Sequence, residues 1–223
     1  MNEKSKDTKI WKALVKTLKK PDVIFFYITA LIVGIADGIF VNFLYLLLED
    51  MGSSKILMGL NTLIQAGGSV LCFLVASQLI ELVGGYDFAI GISVMSFVVR
   101  LLLVSLFNDV WLILACAALY MLGFPLYWSA AVKKAYDFSP KHVTFSILGI
   151  LEVVEVPIAW MITNMVGGMV YDKFGGKWLF RGFSFVCLVW GVIAILKAFL
   201  DRNKKSKETQ DHGTWLMLEL STV

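Results

Sequence analysis

Charge is scarce in this chain. Asp, Glu, Lys and Arg make up 17% of its 223 residues, against 58% hydrophobic residues and a mean hydropathy of +0.77. That balance excludes a soluble enzyme, whose surface needs far more polar cover. Cysteine is scarce too. Cys72, Cys116 and Cys187 each sit in a separate apolar run, which excludes a disulfide framework and makes no zinc site. The two histidines, His142 and His212, are far apart, and no glycine-rich phosphate loop occurs. No hydrolase, nucleotide site, cofactor or metal is expected. The net charge of +3 belongs to the tails and gives no ground for a nucleic-acid partner.

What the chain has instead is long apolar runs. The remaining charges crowd into the two tails and a few short gaps. The runs between them, about 20 residues or more, are each long enough to cross a hydrocarbon core of about 30 Å as a helix. Six spans are expected, near 22–48, 56–80, 87–107, 110–132, 143–170 and 178–200. The fold class is therefore an all-α six-helix transmembrane bundle over residues 21–200. A cytosolic basic segment, 1–20, precedes it and a cytosolic tail, 201–223, follows. No cleavable signal peptide is expected, because the first apolar run is too long for one.

Within residues 1–20, Ile10, Trp11, Leu14, Val15 and Leu18 recur at helical spacing, opposite Lys9, Lys12, Lys16 and Lys19. This reads as a helix lying on an anionic membrane face, with a disordered basic tail as the alternative. Pro21-Asp22 makes a start for the first span.

Basic residues set the orientation. Seven lie in the N-terminal segment, three at Lys133, Lys134 and Lys141, and five from Lys197 onward. An even number of spans puts all fifteen on one side. Only Lys55, Lys173, Lys177 and Arg181 fall on the other. By the positive-inside rule both termini are cytosolic.

The stretch Gly167–Arg181, GGMVYDKFGGKWLFR, is a short polar knuckle between two long apolar runs. Its paired glycines allow close helix approach and tight turning. It resembles the link between the last two helices of a major facilitator superfamily transporter. Gly38–Gly59, with NFLYLLLEDMGSSKILMGL and its Glu49, Asp50 and Gly52, resembles the first helix of a transporter C-terminal half and its outer turn. GFPLYWSAAVKKAYDFSP (Gly123–Pro140) resembles the fourth helix of that half and its inner loop. All six spans can be laid on helices seven to twelve, and the nearest resemblance is to the major-facilitator-domain-containing protein 6 group, in the sugar/nucleoside proton-symporter-like branch. One departure lies in the fifth span. TFSILGILEVVEVPIAW stands where that branch has Gln-Gly and several glycines, which puts close packing there in question.

The resemblance implies a secondary carrier of a small polar solute, with proton coupling. A complete member pairs two six-helix bundles around a site near the midplane. One bundle here means a fragment, a half that pairs with a second bundle (another copy or an N-terminal half), or a remnant that no longer transports. The opening methionine and polar tail fit a translated product; the same tail resembles the linker ahead of helix seven. The other function class is a non-transporting membrane protein of transporter ancestry, acting as a binding partner, receptor or assembly factor.

Charges inside the spans are the candidates for chemistry, since each is costly in a bilayer without a partner, a proton or a watery cavity. Asp37 lies between Gly34 and Gly38, a G-x-x-x-G step where a neighbouring helix can come close. Arg100 in the third span is expected in a buried ion pair, with Asp37 or with an acid of the fifth span. Glu152 and Glu155 are three apart and are expected on one face, where two close carboxyls do not both ionise. They carry a coupling proton, or face a wide aqueous opening, or are unused. By resemblance, Asp37 faces the solute.

Asn61 and Gln65, four apart on the second span with Gly68 and Ser69, bind a polar ligand or act as interhelical glue. On the fourth span Tyr120, Gly123 and Tyr127 are expected on one stripe with Trp128 beside it, and Pro125 is expected to bend the helix. That stripe suits solute stacking or ordinary packing. In the tail, Trp215, Leu216, Met217 and Leu218 are expected to touch the membrane surface. Ser221-Thr222-Val223 fits a carboxylate pattern captured by strand-adding domains.

Overall fold

The computed structural model describes the backbone of residues 3–221 and the side chains of residues 10–203 except Met121. The side chains of Trp215, Leu216, Met217 and Leu218 and the Ser221-Thr222-Val223 terminus lie outside the described residues.

A helix, α1 (Glu3–Leu18), opens the chain. Six helical stretches long and apolar enough to cross a membrane follow: Pro21–Asp50, Lys55–Leu82, Tyr86–Leu106, Val110–Phe138, Thr144–Phe174 and Gly176–Asn203. Among the described residues there is no strand. The architecture is the expected all-α six-helix bundle, consistent with one half of a major facilitator fold.

Local chemistry sets the boundaries. Pro21, with no N–H to leave unpaired, starts the first span. The Ser54 and Asp109 side chains accept from the Leu57 and Trp111 backbone N–H groups, capping the second and fourth spans. Gly175, at φ +81°, makes the turn between the fifth and sixth spans within the polar knuckle.

Two boundaries differ from expectation. The fourth span reaches Phe138, past 132, after a 3-10 stretch (Ala117–Leu122) and a break at Gly123 just ahead of Pro125. Pro125 sits in the first turn of the new helix, where its missing N–H costs nothing, so the bend falls ahead of it. The sixth helix does not end near residue 200. It runs unbroken to Ser221, because Asp201–Gln210 is polar but holds no helix breaker.

Side by side, the spans run second, fourth, third, sixth, first, fifth. The first and third are the core, with 61% of their most apolar windows buried. The second and fifth stand at the two open ends of this row, with 17% and 22% buried. Polar clasps hold both rims. Lys134 pairs with Asp87 and Lys197 with Asp22 at the Pro21 end. Tyr171 donates to Asp50 and Lys177 to Asn108 at the other. These clasps tie the first span to the sixth, the third to the fourth, the first to the fifth, and the sixth to the loop between the third and fourth.

Candidate functional site

The G-x-x-x-G step of the first span is where the site is built. A Cβ on Gly34 would come within 2.1 Å of the Glu155 carbonyl oxygen and 2.8 Å of the Ala159 Cβ. On Gly38 it would meet Trp160 and Thr163 at 3.0 Å. The fifth span therefore lies backbone-close against the first, and Thr163 Oγ1 donates to the Ile35 carbonyl at 3.3 Å. The close packing put in question by the missing glycines of the fifth span is present. The glycines that permit it are on the other helix.

The fifth span is not a uniform α-helix. It is π-helical at Val154–Ile158 and again at Thr163–Gly167, separated by one α turn, Ala159–Ile162. Pro157 lies in the first π segment and cannot donate to the ladder. This widened turn separates Glu152 from Glu155. Glu155 is 1% exposed and turned into the bundle, whereas Glu152 is exposed on the outer side. The expected shared face, which assumes α-helical spacing, does not form.

Arg100 is 2% exposed, and its guanidinium lies 3.8 Å over the Phe40 ring and 4.9 Å from the Tyr120 ring. No direct ion pair with Asp37 or Glu155 is made: among the described residues the ion pairs are Lys134–Asp87 and Lys197–Asp22. The aromatic faces take the position expected for a carboxylate, because Phe40 follows Asp37 by three residues on the same side of its helix. Asp37 nonetheless lies within electrostatic range of Arg100, Tyr120 and Glu155, and Glu155 within range of Tyr127.

These groups share a level. Counted from the Pro21 end at 1.5 Å per residue, Asp37, Arg100 and Glu155 lie about 24, 21 and 17 Å along their helices. One Asp37 oxygen, both Glu155 oxygens, Arg100 Nε and Nη1, and the Tyr127 hydroxyl are buried with no hydrogen-bond partner. Such a concentration of unsatisfied polar atoms is uncommon in a packed interior.

Beside it runs an open groove of about 380 Å³, lined by Phe40, Val41, Tyr45, Thr62, Gln65, Ala66, Ser69 and Tyr120. Phe40 and Tyr120 form its wall and also seat Arg100, so the groove and the charged interior are separated by two rings. Asn61 is buried behind it and donates to the Tyr45 hydroxyl at 3.3 Å, which pairs with Thr62 Oγ1 at 2.8 Å. Gln65 reaches the groove and Asn61 does not: the two residues divide between groove wall and interhelical bonding.

The fourth-span stripe also differs. Tyr127 is fully buried, within electrostatic range of Glu155, and the half-buried ladder is Tyr120, Phe124 and Trp128. Their rings stack at 6.3 and 6.1 Å, tilted by 11° and 12°. The break at Gly123 shifts which residues align across it. Phe40, Val41, Tyr45, Thr62 and Ala66 line the wall without standing out as candidates in the sequence. Thr62, Gln65, Ala66 and Ser69 follow an i, i+3, i+4, i+7 pattern that carried the signal.

An all-helical bundle of six membrane-length spans, with charges buried beside a half-open groove, defines a multi-pass membrane protein. The chain belongs to the MFS_1 like family, whose profile matches residues 1–182. It is similar to a major facilitator superfamily domain-containing protein 6-like of Danio rerio, with 21% identity over 196 residues. The match covers 87% of this chain and 36% of that protein, so the chain spans little more than a third of that relative's length.

Proposed function

We propose that this chain is the C-terminal half of a secondary carrier of the major-facilitator-domain-containing protein 6 kind, moving a small polar solute with proton coupling. In this reading its spans correspond to helices seven to twelve, both termini are cytosolic, and a second six-helix bundle faces the groove. The observation that carries it is the cluster of Asp37, Arg100 and Glu155, buried together at mid-depth beside the groove.

The mechanism follows from the geometry. A buried carboxyl is stable as the neutral acid in a dry interior and ionises when water or a polar solute reaches it. Glu155, with no partner on either oxygen, is the proton carrier. Asp37, within range of the Arg100 charge, senses the solute. A solute in the groove touches Phe40 and Tyr120 and, by moving those rings, changes how much of the Arg100 charge Asp37 receives. Gln65, Thr62 and Ser69 supply hydrogen bonds, and Tyr45 and Tyr120 supply flat apolar faces.

The test is uptake of a solute panel into vesicles, with and without a proton gradient, using this chain together with its complementary bundle. Gradient-driven uptake of at least one solute, lost in Asp37→Asn and Glu155→Gln, is expected. Absence of driven uptake across the panel would leave a membrane protein of transporter ancestry with a binding role.

A further inference from the structure

The helix α1 takes no part in the polar interior, and its two sides do different things. Leu14 and Thr17 are buried, with Ile10, Ala13 and Leu18 packed beside them. They fasten α1 to the bundle immediately ahead of Pro21. The rest of its apolar stripe stays outside: Trp11 is 66% exposed and Val15 43%. Lys12, Lys16 and Lys19 are exposed next to them, and the five side chains line one shallow concave surface of about 530 Å³. Positions 11, 12, 15, 16 and 19 share a helix face.

This surface lies where the first span enters the bilayer, only Lys20 standing between Lys19 and Pro21. From Ile10 to Lys20 the chain has no acidic residue, so its charge is of one sign. An aromatic ring and a β-branched side chain among lysines match the headgroup layer: apolar groups reach the upper acyl chains while ammonium groups stay with phosphates. An aqueous setting leaves Trp11 and Val15 unsheltered, and a zwitterionic headgroup offers lysine no net attraction.

We infer that α1 is a binding site for anionic phospholipids, held by Lys12, Lys16 and Lys19 and seated by Trp11 and Val15. The site is independent of the transport reading.

The test uses the full chain in vesicles with a fluorophore on Val15→Cys. Cys72, Cys116 and Cys187 are all buried, so the label goes to the new thiol. Nitroxide-labelled phosphatidylserine and phosphatidylcholine serve as quenchers, with iodide in the water. Phosphatidylserine is expected to quench at roughly a hundredfold lower content than phosphatidylcholine, the scale set by three lysines at a charged surface. The triple change Lys12→Gln, Lys16→Gln and Lys19→Gln, all at exposed positions, should abolish that preference while helical circular dichroism stays unchanged. Equal quenching by the two lipids, a preference surviving the triple change, or quenching by iodide alone would overturn the inference. A label reached by none of the three would also overturn it, since a protein surface would then cover α1.

Discussion

Gly34 is the residue on which the site most depends, although it has no side chain to offer. Adding a methyl there forces the first and fifth spans apart, since the obstructing atom is the Glu155 backbone carbonyl. Gly34→Ala should cost about 1–3 kcal/mol, the usual scale of overpacking. Gly59→Ala, where a Cβ meets nothing within 4 Å, should be neutral or slightly stabilising. Thermal unfolding of the two variants in the same detergent measures the difference. The two acids of the fifth span should also part company. Glu155→Gln should lower proton-driven uptake by on the order of tenfold or more, about 1.4 kcal/mol in the barrier. Glu152→Gln, at an exposed position, should leave it near the unaltered level. Parallel initial-rate measurements decide this, and equal losses would count against Glu155 as the carrier. At this scale the sequence was partly legible. Asp37, Arg100 and Glu155 were identified because apolar runs make any charge conspicuous. The Arg100 seat was not, because a cation over a ring leaves no charge pattern to read.

At the scale of helices, the six spans were readable from run length alone, and their ends to within a few residues except at Phe138 and in the sixth helix, which runs on to Ser221. The irregularities inside them were not. Pro157 marks VEVPI as irregular without saying of what kind, and nothing in TNMVG distinguishes it from α-helix by composition; a π turn depends on which helix it packs against. The Gly123 break was half legible through Pro125; its effect on the Tyr120, Phe124 and Trp128 register was not. The first π segment holds one residue more than an α turn, and its role can be tested. Deleting Val156 should convert it to an α turn with little net rotation, since five π residues and four α residues both wind by roughly 400°. Thr163 should therefore keep the Ile35 carbonyl. Cysteine crosslinking between positions 35 and 163 is expected in both the full-length helix and the deletion. Its loss in the deletion would show that the two halves do not stay in register when the π turn is removed.

At the scale of the molecule, the open flanks of the second and fifth spans call for a partner. Glu152 and Asn164 on one and Gln65 and Ser69 on the other are polar groups at bilayer depth that are not buried, and facing acyl chains is unfavourable for them. The chain is expected to associate with a second bundle, its own copy or a complementary one. Single-molecule photobleaching in bilayers should show more than one bundle per particle, and a stable monomer would refute this. Epitope tags at both termini should be reached only from the cytosolic side, given the distribution of basic residues. One feature of the fold carries beyond the bilayer. The sixth helix continues without a break from Gly176 to Ser221, 46 residues or about 69 Å. A bilayer with its headgroups takes up about 40–45 Å of that. Roughly 25 Å therefore stands clear as a mast stepped in the third and first spans. A 10° tilt about its root at Gly176 sweeps the tip by about 12 Å, so movement within the membrane is displayed, magnified, at a distance from it.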